Sequence, residues 1–351
     1  MRWIALLMVI LALCGCQKEA ESPSRFTDYD DIIDSGKPLA MGDERDVYVF
    51  CDDANWKALK PFIQSSIERE VTLVYPEKYF NLIKAGINDV AKYSQYRNLV
   101  FIGDLSSDGK VSQHMRGTVA KDFINRVQQS GGDLFMAKNF ASRDQITLYL
   151  MGSDPMNLEK IGALQSDNVF NLLLRRFTER LGYQTYQQKL IPAKFFEPYP
   201  FSLKIPDNYT LYSNDRAGNF LSFLYRARMQ DREIPDKYIS IYHEPMPENI
   251  ITHEWLMEKR QMLGDKYFEG DEFDPEFIRK ENTRLAGYDA HRIVGAWKNP
   301  KHLIGGAFQS YAFWHNGKAY IVDNSVYFPA GDKLPILVEL YVISSSLSLQ
   351  E

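Results

Sequence analysis

A chain of 351 residues that is 45% hydrophobic and 13% aromatic can bury real cores and has room for two domains of about 100–200 residues each. Its net charge of −5, from 41 basic and 46 acidic side chains, comes with no basic block, which argues against nucleic-acid binding. Of its three cysteines, Cys14 and Cys16 fall in the leader and only Cys51 lies beyond it, so no disulfide framework holds this protein.

The chain opens Met1-Arg2-Trp3 and runs apolar from Ile4 to Leu13. That run is shorter than the ~20 residues a membrane span needs and suits the 7–15-residue apolar core of a signal peptide. It ends in Leu13-Cys14-Gly15-Cys16, which resembles the bacterial lipobox. Residues 1–16 are therefore expected to be a lipoprotein signal peptide with Cys16 the lipidated residue; an ordinary secretory signal cut nearby is the alternative. The two or three acyl chains on such a cysteine anchor firmly, each buried methylene contributing about 0.8 kcal/mol. Gln17 follows, not Asp, which by analogy with enterobacterial sorting favours the outer membrane, facing the periplasm.

Residues 17–45 are polar and acidic, with Glu19, Glu21, Asp28, Asp30, Asp31 and Asp34. Such a stretch has little apolar surface to bury and is expected to be a flexible tether. Residues 46–187 then alternate. Asp46–Cys51 reads as a strand, with Cys51 as a small buried residue. A helix to about Glu68 carries Leu59, Phe62, Ile63 and Ile67 on one face. A strand Val71–Tyr75, a helix Tyr79–Tyr96 and a buried strand Asn98–Leu105 follow. A polar helix over about Lys110–Gln129 precedes strands Leu134–Phe140 and Gln145–Met151, and Leu158–Tyr186 supplies one long or broken helix. Strands alternating with helices indicate a mixed sheet covered by helices.

Residues 188–200 are rich in proline and aromatics, and proline disfavours helix before it; they read as the interdomain linker. Residues 201–351 begin with an alternating strand, Phe201–Pro206, and add strand patterns at Tyr209–Ser213, Asn219–Arg228 and Tyr238–His243. Thr252 starts a helix to about Tyr267. Residues 268–286 are charged with little pattern. His291–Trp297, Ala307–Trp314, Ala319–Val322 and Val326–Phe328 read as strands. Asn316-Gly317 between two of them is a strong hairpin signal, because both residues tolerate positive φ. Asp332 can cap a last helix whose Ile336, Leu340, Ile343 and Leu347 form one stripe. The fold class is α/β to α+β: two tandem α/β sandwich domains, mixed sheets flanked by helices.

Several constellations could carry chemistry. His243-Glu244 and His253-Glu254 could assemble a metal site, although the metalloprotease His-Glu-x-x-His helix is absent because position 257 is Met257; surface and helix-end histidines are the plainer reading. Arg226 and Arg228, two apart, would share one face of a strand and could clamp a carboxylate or phosphate, with Asp323 nearby; a solvated face with ordinary ion pairs is the plainer reading. Ser106 and Ser107 follow a strand end where α/β folds often bind ligands, and His114 is the nearest base. Neither a phosphate loop nor an esterase elbow is present. The hairpin aromatics Phe308, Tyr311, Phe313, Trp314, Tyr320, Tyr327 and Phe328 are core, or on one face a contact surface.

Cys16 in its lipobox, Asp53-Ala54-Asn55-Trp56-Lys57, Arg97-Asn98-Leu99-Val100, Gly295-Ala296-Trp297, Ile304-Gly305-Gly306-Ala307-Phe308, Val322-Asp323 and Tyr327 together resemble a Bacteroidota-type lipoprotein family known only as a domain of unknown function, number 4837 in that series. The resemblance implies the compartment and the two-domain plan, and no activity. The C-terminal half looks like the α/β sandwich of the photosystem II extrinsic protein and Mog-type proteins, a likeness of fold that licenses no function. The expectation is a lipid-anchored cell-envelope protein, a non-catalytic binding or assembly accessory with an envelope protein or glycan as partner and no cofactor. The alternatives are a hydrolase built on His243, Glu244, His253 and Glu254 or on Ser107 and His114, and ligand capture between the domains near 188–200.

Overall fold

The structure, a computed structural model, describes residues 25–33 and 35–350. The expected signal peptide, with Cys16, lies outside the described residues. The first unit contains β1 (Asp46–Cys51), α1 (Asp53–Ile67), the hairpin β2 (Glu70–Thr72) and β3 (Pro76–Lys78), β4 (Asn81–Ala85), β5 (Asn98–Asp104), α2 (Lys110–Thr118), α3 (Lys121–Ser130), β6 (Gly132–Lys138), β7 (Ile146–Gly152) and α4 (Pro155–Thr185). Its sheet has the order β4-β1-β5-β7-β6, parallel except for the edge strand β6. β5 and β7 are buried along their whole length, because helices cover both faces of a largely parallel sheet. α4 starts on Asp154, whose carboxylate accepts the Asn157 N–H at 2.9 Å, with Pro155 in the first turn. At 31 residues it is about 46 Å long.

Three expectations change in this part of the chain. The segment read as a helix over 79–96 holds β4 and two short helical turns at Ile87–Asp89 and Val90–Tyr93. The polar helix over 110–129 is broken into α2 and α3. From Arg25 onward, the expected tether is packed. Arg25 bonds Asp30 and pairs with Lys189, Ile32 and Ala40 are buried, and Tyr29 stacks on Tyr186 with ring centroids 5.8 Å apart. Gly182 makes room for that ring, since a Cβ there would lie 2.6 Å from it.

The second unit contains β8 (Phe201–Ser202), β9 (Thr210–Asp215), β10 (Phe220–Tyr225), β11 (Asp236–Pro245), α5 (His253–Tyr267), β12 (Arg279–Leu285), β13 (Tyr288–Asn299), β14 (Ile304–His315), β15 (Lys318–Tyr327), α6 (Leu334–Ser344) and β16 (Ser348–Leu349). Seven strands form an antiparallel sheet ordered β12-β13-β14-β15-β11-β10-β9. α5 covers one face, over Phe220, Trp297, Phe308, Ala312 and Ile321. The other face, with Tyr311, Phe313 and Val322, meets α6. Both faces of the β14–β15 hairpin are therefore core: Phe308, Tyr311, Phe313 and Tyr320 are all buried. The charged stretch 268–286 contains β12, an edge strand.

The units share one core. A single apolar cluster runs from Val47 and Ile102 through Leu173 and Phe177 of α4 to Leu337 and Leu340 of α6 and Val322 of β15. The presumed linker takes part in it: Phe196 and Tyr199 are buried, and Leu190 pairs with Pro206. α6 is capped from across the seam. The Glu77 carboxylate accepts the N–H groups of Lys333 at 3.0 Å and Leu334 at 2.8 Å, while Asp332, expected as the cap, pairs with Arg45 at 2.6 Å. Glu77→Ala leaves two helix N–H groups without their acceptor. It is expected to cost about 1–2 kcal/mol, read as a lower urea midpoint with an unchanged slope.

Candidate functional site

In an open α/β sheet, ligands bind at the carboxyl ends of the strands where the winding reverses, here between β1 and β5. That crevice is filled from within. Asp52 accepts the N–H groups of Val111 at 3.0 Å and Ser112 at 3.1 Å, capping α2. A Cβ on Gly109 would sit 2.1 Å from the Asp52 carboxylate. Asp104 is buried and accepts Ser106 N–H at 3.0 Å, Ser107 N–H at 2.6 Å and the Asn55 amide at 3.0 Å. The Ser107 hydroxyl accepts from Gly109 N–H at 3.0 Å, and the His114 ring lies against Phe101. Ser107 and His114 thus serve a turn and a helix face, not a nucleophile–base pair. Cys51 is buried, and burial pushes its thiol up to about 12, which makes it unreactive.

The His-Glu pairs do not converge. β11 alternates, so His243 and Glu244 point to opposite faces of the sheet. His243 sits beside Phe201 and Tyr320. Glu244 turns to α5, where it accepts from Lys259 at 2.8 Å and the Tyr242 hydroxyl at 2.7 Å. His253, at the start of α5, shares a 2.8 Å hydrogen bond with the Glu281 carbonyl, and its ring meets that of His291 at 4.6 Å. Glu254 binds Lys280 at 2.9 Å. Among the described residues no three His, Cys, Asp or Glu side chains gather to hold a metal.

The arginine pair leaves its strand but stays on one opening. β10 ends at Tyr225, so Arg226 and Arg228 lie beyond the strand. Arg226 donates twice to Asp236, at 2.9 and 2.7 Å. Arg226 and Arg228 both line an opening of about 410 Å³, with Arg232 and Glu233. Asp323 is elsewhere: buried under α5, 3.3 Å from Arg260 and bonded by Ser310 and Ser325.

A cleft of about 500 Å³ opens over the ends of β12, β13 and β14, lined by Glu248, Asn282, Asp289, His291, Phe313 and Trp314. The Trp314 indole is fixed as one wall by a 2.8 Å bond to the Met246 carbonyl. His291 meets Asn282 at 3.1 Å, and burial, then the neighbouring His253, lowers its basicity below the usual imidazole value. Sequence reasoning passed over His291 because no metal-ligand or triad spacing involves it. A smaller opening, about 250 Å³, lies at the seam between Leu181 and Gln184 of α4 and Tyr209, Tyr225, Lys237 and Glu339. Of the stretch 188–200, only Gln188 reaches it.

Residues 188–346 match the family described as a domain of unknown function (DUF4837). This is the family whose resemblance the sequence carries; the match spans the presumed linker and most of the second unit, without Asp53–Lys57 or Arg97–Val100. No curated protein matches the chain. Among solved structures, the chain is similar to a crystal structure from Bacteroides thetaiotaomicron, with TM-score 0.28 and 10% identity, over 43% of this chain and 46% of that one. It is also similar to a point mutant of Mog1 (TM-score 0.30, 6% identity, 43% of this chain and 92% of the other). The solution structure of cyanobacterial PsbP (CyanoP) from Synechocystis sp. PCC 6803 is a further match (TM-score 0.28, 12% identity, 43% and 86%). These neighbours include the PsbP-like and Mog1 folds expected for the C-terminal half, and at such scores they carry no functional argument. The chain spans under half the length of the Bacteroides protein.

Burial, with a smaller contribution from Lys318, holds His243 below its usual value of 6.5, and His291 is lowered as well. The unfolded chain then binds more protons than the folded one once the pH drops below 6.5. Stability is complete above that pH and falls as the pH descends from 6.5 towards the lowered folded values. Thermal unfolding between pH 7 and 5 is expected to show this decline, and His243→Phe, which keeps an aromatic ring there, is expected to flatten part of it.

Proposed function

We propose that this chain is a lipid-anchored cell-envelope protein, attached through Cys16 to the outer membrane on its periplasmic side, that works without catalysis as a binding or assembly accessory. The observation that carries the reading is how the reactive-looking groups are used. Glu244, Glu254, Asp104 and Asp323 each hold a cation, a helix or a turn, and His243 and His253 stand on opposite sides of a sheet. The second unit's surface keeps the cleft beside Trp314 and His291, whose aromatic wall and polar rim suit an envelope protein or glycan. The lipobox-like Leu13–Cys16 supports the anchor, and no helix among the described residues is long and apolar enough to cross a membrane.

The test combines two measurements on the full-length chain in a bacterial host. Labelled palmitate is expected to be incorporated and the protein to fractionate with membranes, and Cys16→Ala is expected to abolish both. A photo-crosslinking residue at Asp289, on the cleft rim, is expected to yield a discrete adduct in intact cells that one at Lys160, on α4, does not. Hydrolysis of chromogenic esters by the purified protein, lost in His291→Ala, would overturn the non-catalytic reading.

A further inference from the structure

Residues 37–41 form a short ribbon along the end of the first sheet where β1, β5 and β7 begin. Both sides of its backbone are tied down. Arg143 N–H donates to Pro38 O at 2.9 Å, Met41 N–H donates to Gln95 O at 2.9 Å, and Arg97 N–H donates to Met41 O at 3.1 Å. Leu39 and Met41 make bridges to Arg143 and Tyr96. Alternation along this ribbon sends Ala40 inward, at 3% exposed, and Leu39 and Met41 outward, at 54% and 51%. Phe140, in the adjoining β6–β7 turn, is 57% exposed, and its carbonyl accepts from Lys37 at 3.3 Å. The apolar side chains are thus held out by a fixed backbone, not left out by a frayed one. Soluble surfaces scatter such residues singly; a group of them marks a contact.

The covalent path says what covers them. Eight residues separate Cys16 from Arg25 in the sequence, and a chain of that length reaches at most about 30 Å fully extended. Arg25 enters at this same end: the turn that follows it places Ile32 O 3.3 Å from Asp144 N–H, next to Arg143 and the ribbon. α4 alone is about 46 Å long, so the anchor keeps this end of the molecule near the lipid and not the end where α4 begins. We propose that Leu39, Met41 and Phe140 rest in the interfacial layer of the bilayer to which Cys16 is attached, so that the protein sits on its membrane in one orientation. This inference rests on the reading of Cys16 as the anchor.

The test uses the lipidated full-length protein in phosphatidylethanolamine–phosphatidylglycerol vesicles. Single cysteines at Leu39→Cys, Phe140→Cys and, at the far end of α4, the exposed Met156→Cys carry an environment-sensitive fluorophore. Cys51 is buried, so its failure to label in each variant confirms the fold. The expected result is a blue shift and a loss of iodide quenching at positions 39 and 140, with no change at 156. Flotation with the vesicles and no difference among the three positions overturns the docking face and leaves the anchor standing. Failure to float, together with an unmodified Cys16 by mass, overturns the anchor and this inference with it.

Discussion

Two buried guanidiniums fix the layout of this molecule. Arg176 and Arg180 lie on one face of α4, each 2% exposed. Taking such charges out of water costs several kcal/mol apiece unless their donors are met. Here backbone carbonyls meet them. Arg180 donates to the Asp144 carbonyl at 3.1 and 2.9 Å, to Arg97 O at 3.1 Å and to the Asn98 side chain at 2.8 Å. Arg176 reaches Asp144 O at 3.2 Å, Ile32 O at 3.4 Å and Glu179 at 2.8 Å. These contacts set the rotation and height of α4 against the ends of β5 and β7 and clasp the N-terminal segment. The apolar face of α4 is thereby aimed at α6, and the second unit takes its position from it.

The second sheet repeats the device on both faces. Arg260 descends from α5 onto Asp323, with its guanidinium 3.8 Å over the Phe308 ring. Arg292 joins Glu281 at 2.7 Å and Gln309 at 2.8 Å, and Gln309 in turn donates to Leu337 O of α6 at 2.6 Å. Each helix over this sheet is thus registered by a polar contact inside an otherwise apolar layer. Such groups, seen as letters, look like the makings of a site. Their partners, Arg260 of α5 for Asp323 and Gln309 beneath α6 for Arg292, tie them to the placing of helices.

Long periodic elements were legible. α4 and the closing stripe Ile336, Leu340 and Ile343 follow helical spacing, and Asn316-Gly317 marks the β14–β15 turn, with Asn316 at φ 46 and Gly317 at φ 75. Short or charged elements were not. β4 lies within a stretch whose apolar residues also fit a helix, and only pairing with β1 decides it. β12 (Arg279–Leu285) is charged because an exposed edge strand is protected by charge. The packing of residues 25–45 escaped notice because backbone hydrogen bonds, which composition does not display, hold it. Of the candidate site, the wall residue Trp314 could be read as a strand aromatic, but the pairing of His253 with His291 depends on α5 crossing the sheet.

The bridge between Arg25 and Lys189 has a mechanical meaning. Any pull transmitted along the chain from its N-terminal side arrives at the seam, where Lys189 leads from α4 into the DUF4837 region. It does not arrive at the free edge of the first sheet. The load is first taken by Arg25, through its bond to Asp30 and its 3.3 Å bond to Tyr186 O, and by the Tyr29–Tyr186 stack, then by the shared core. Resistance to such force is set by the unfolding barrier of the structure that carries it. A protein held at its seam bears tension through both units at once and keeps neither as a separately yielding link.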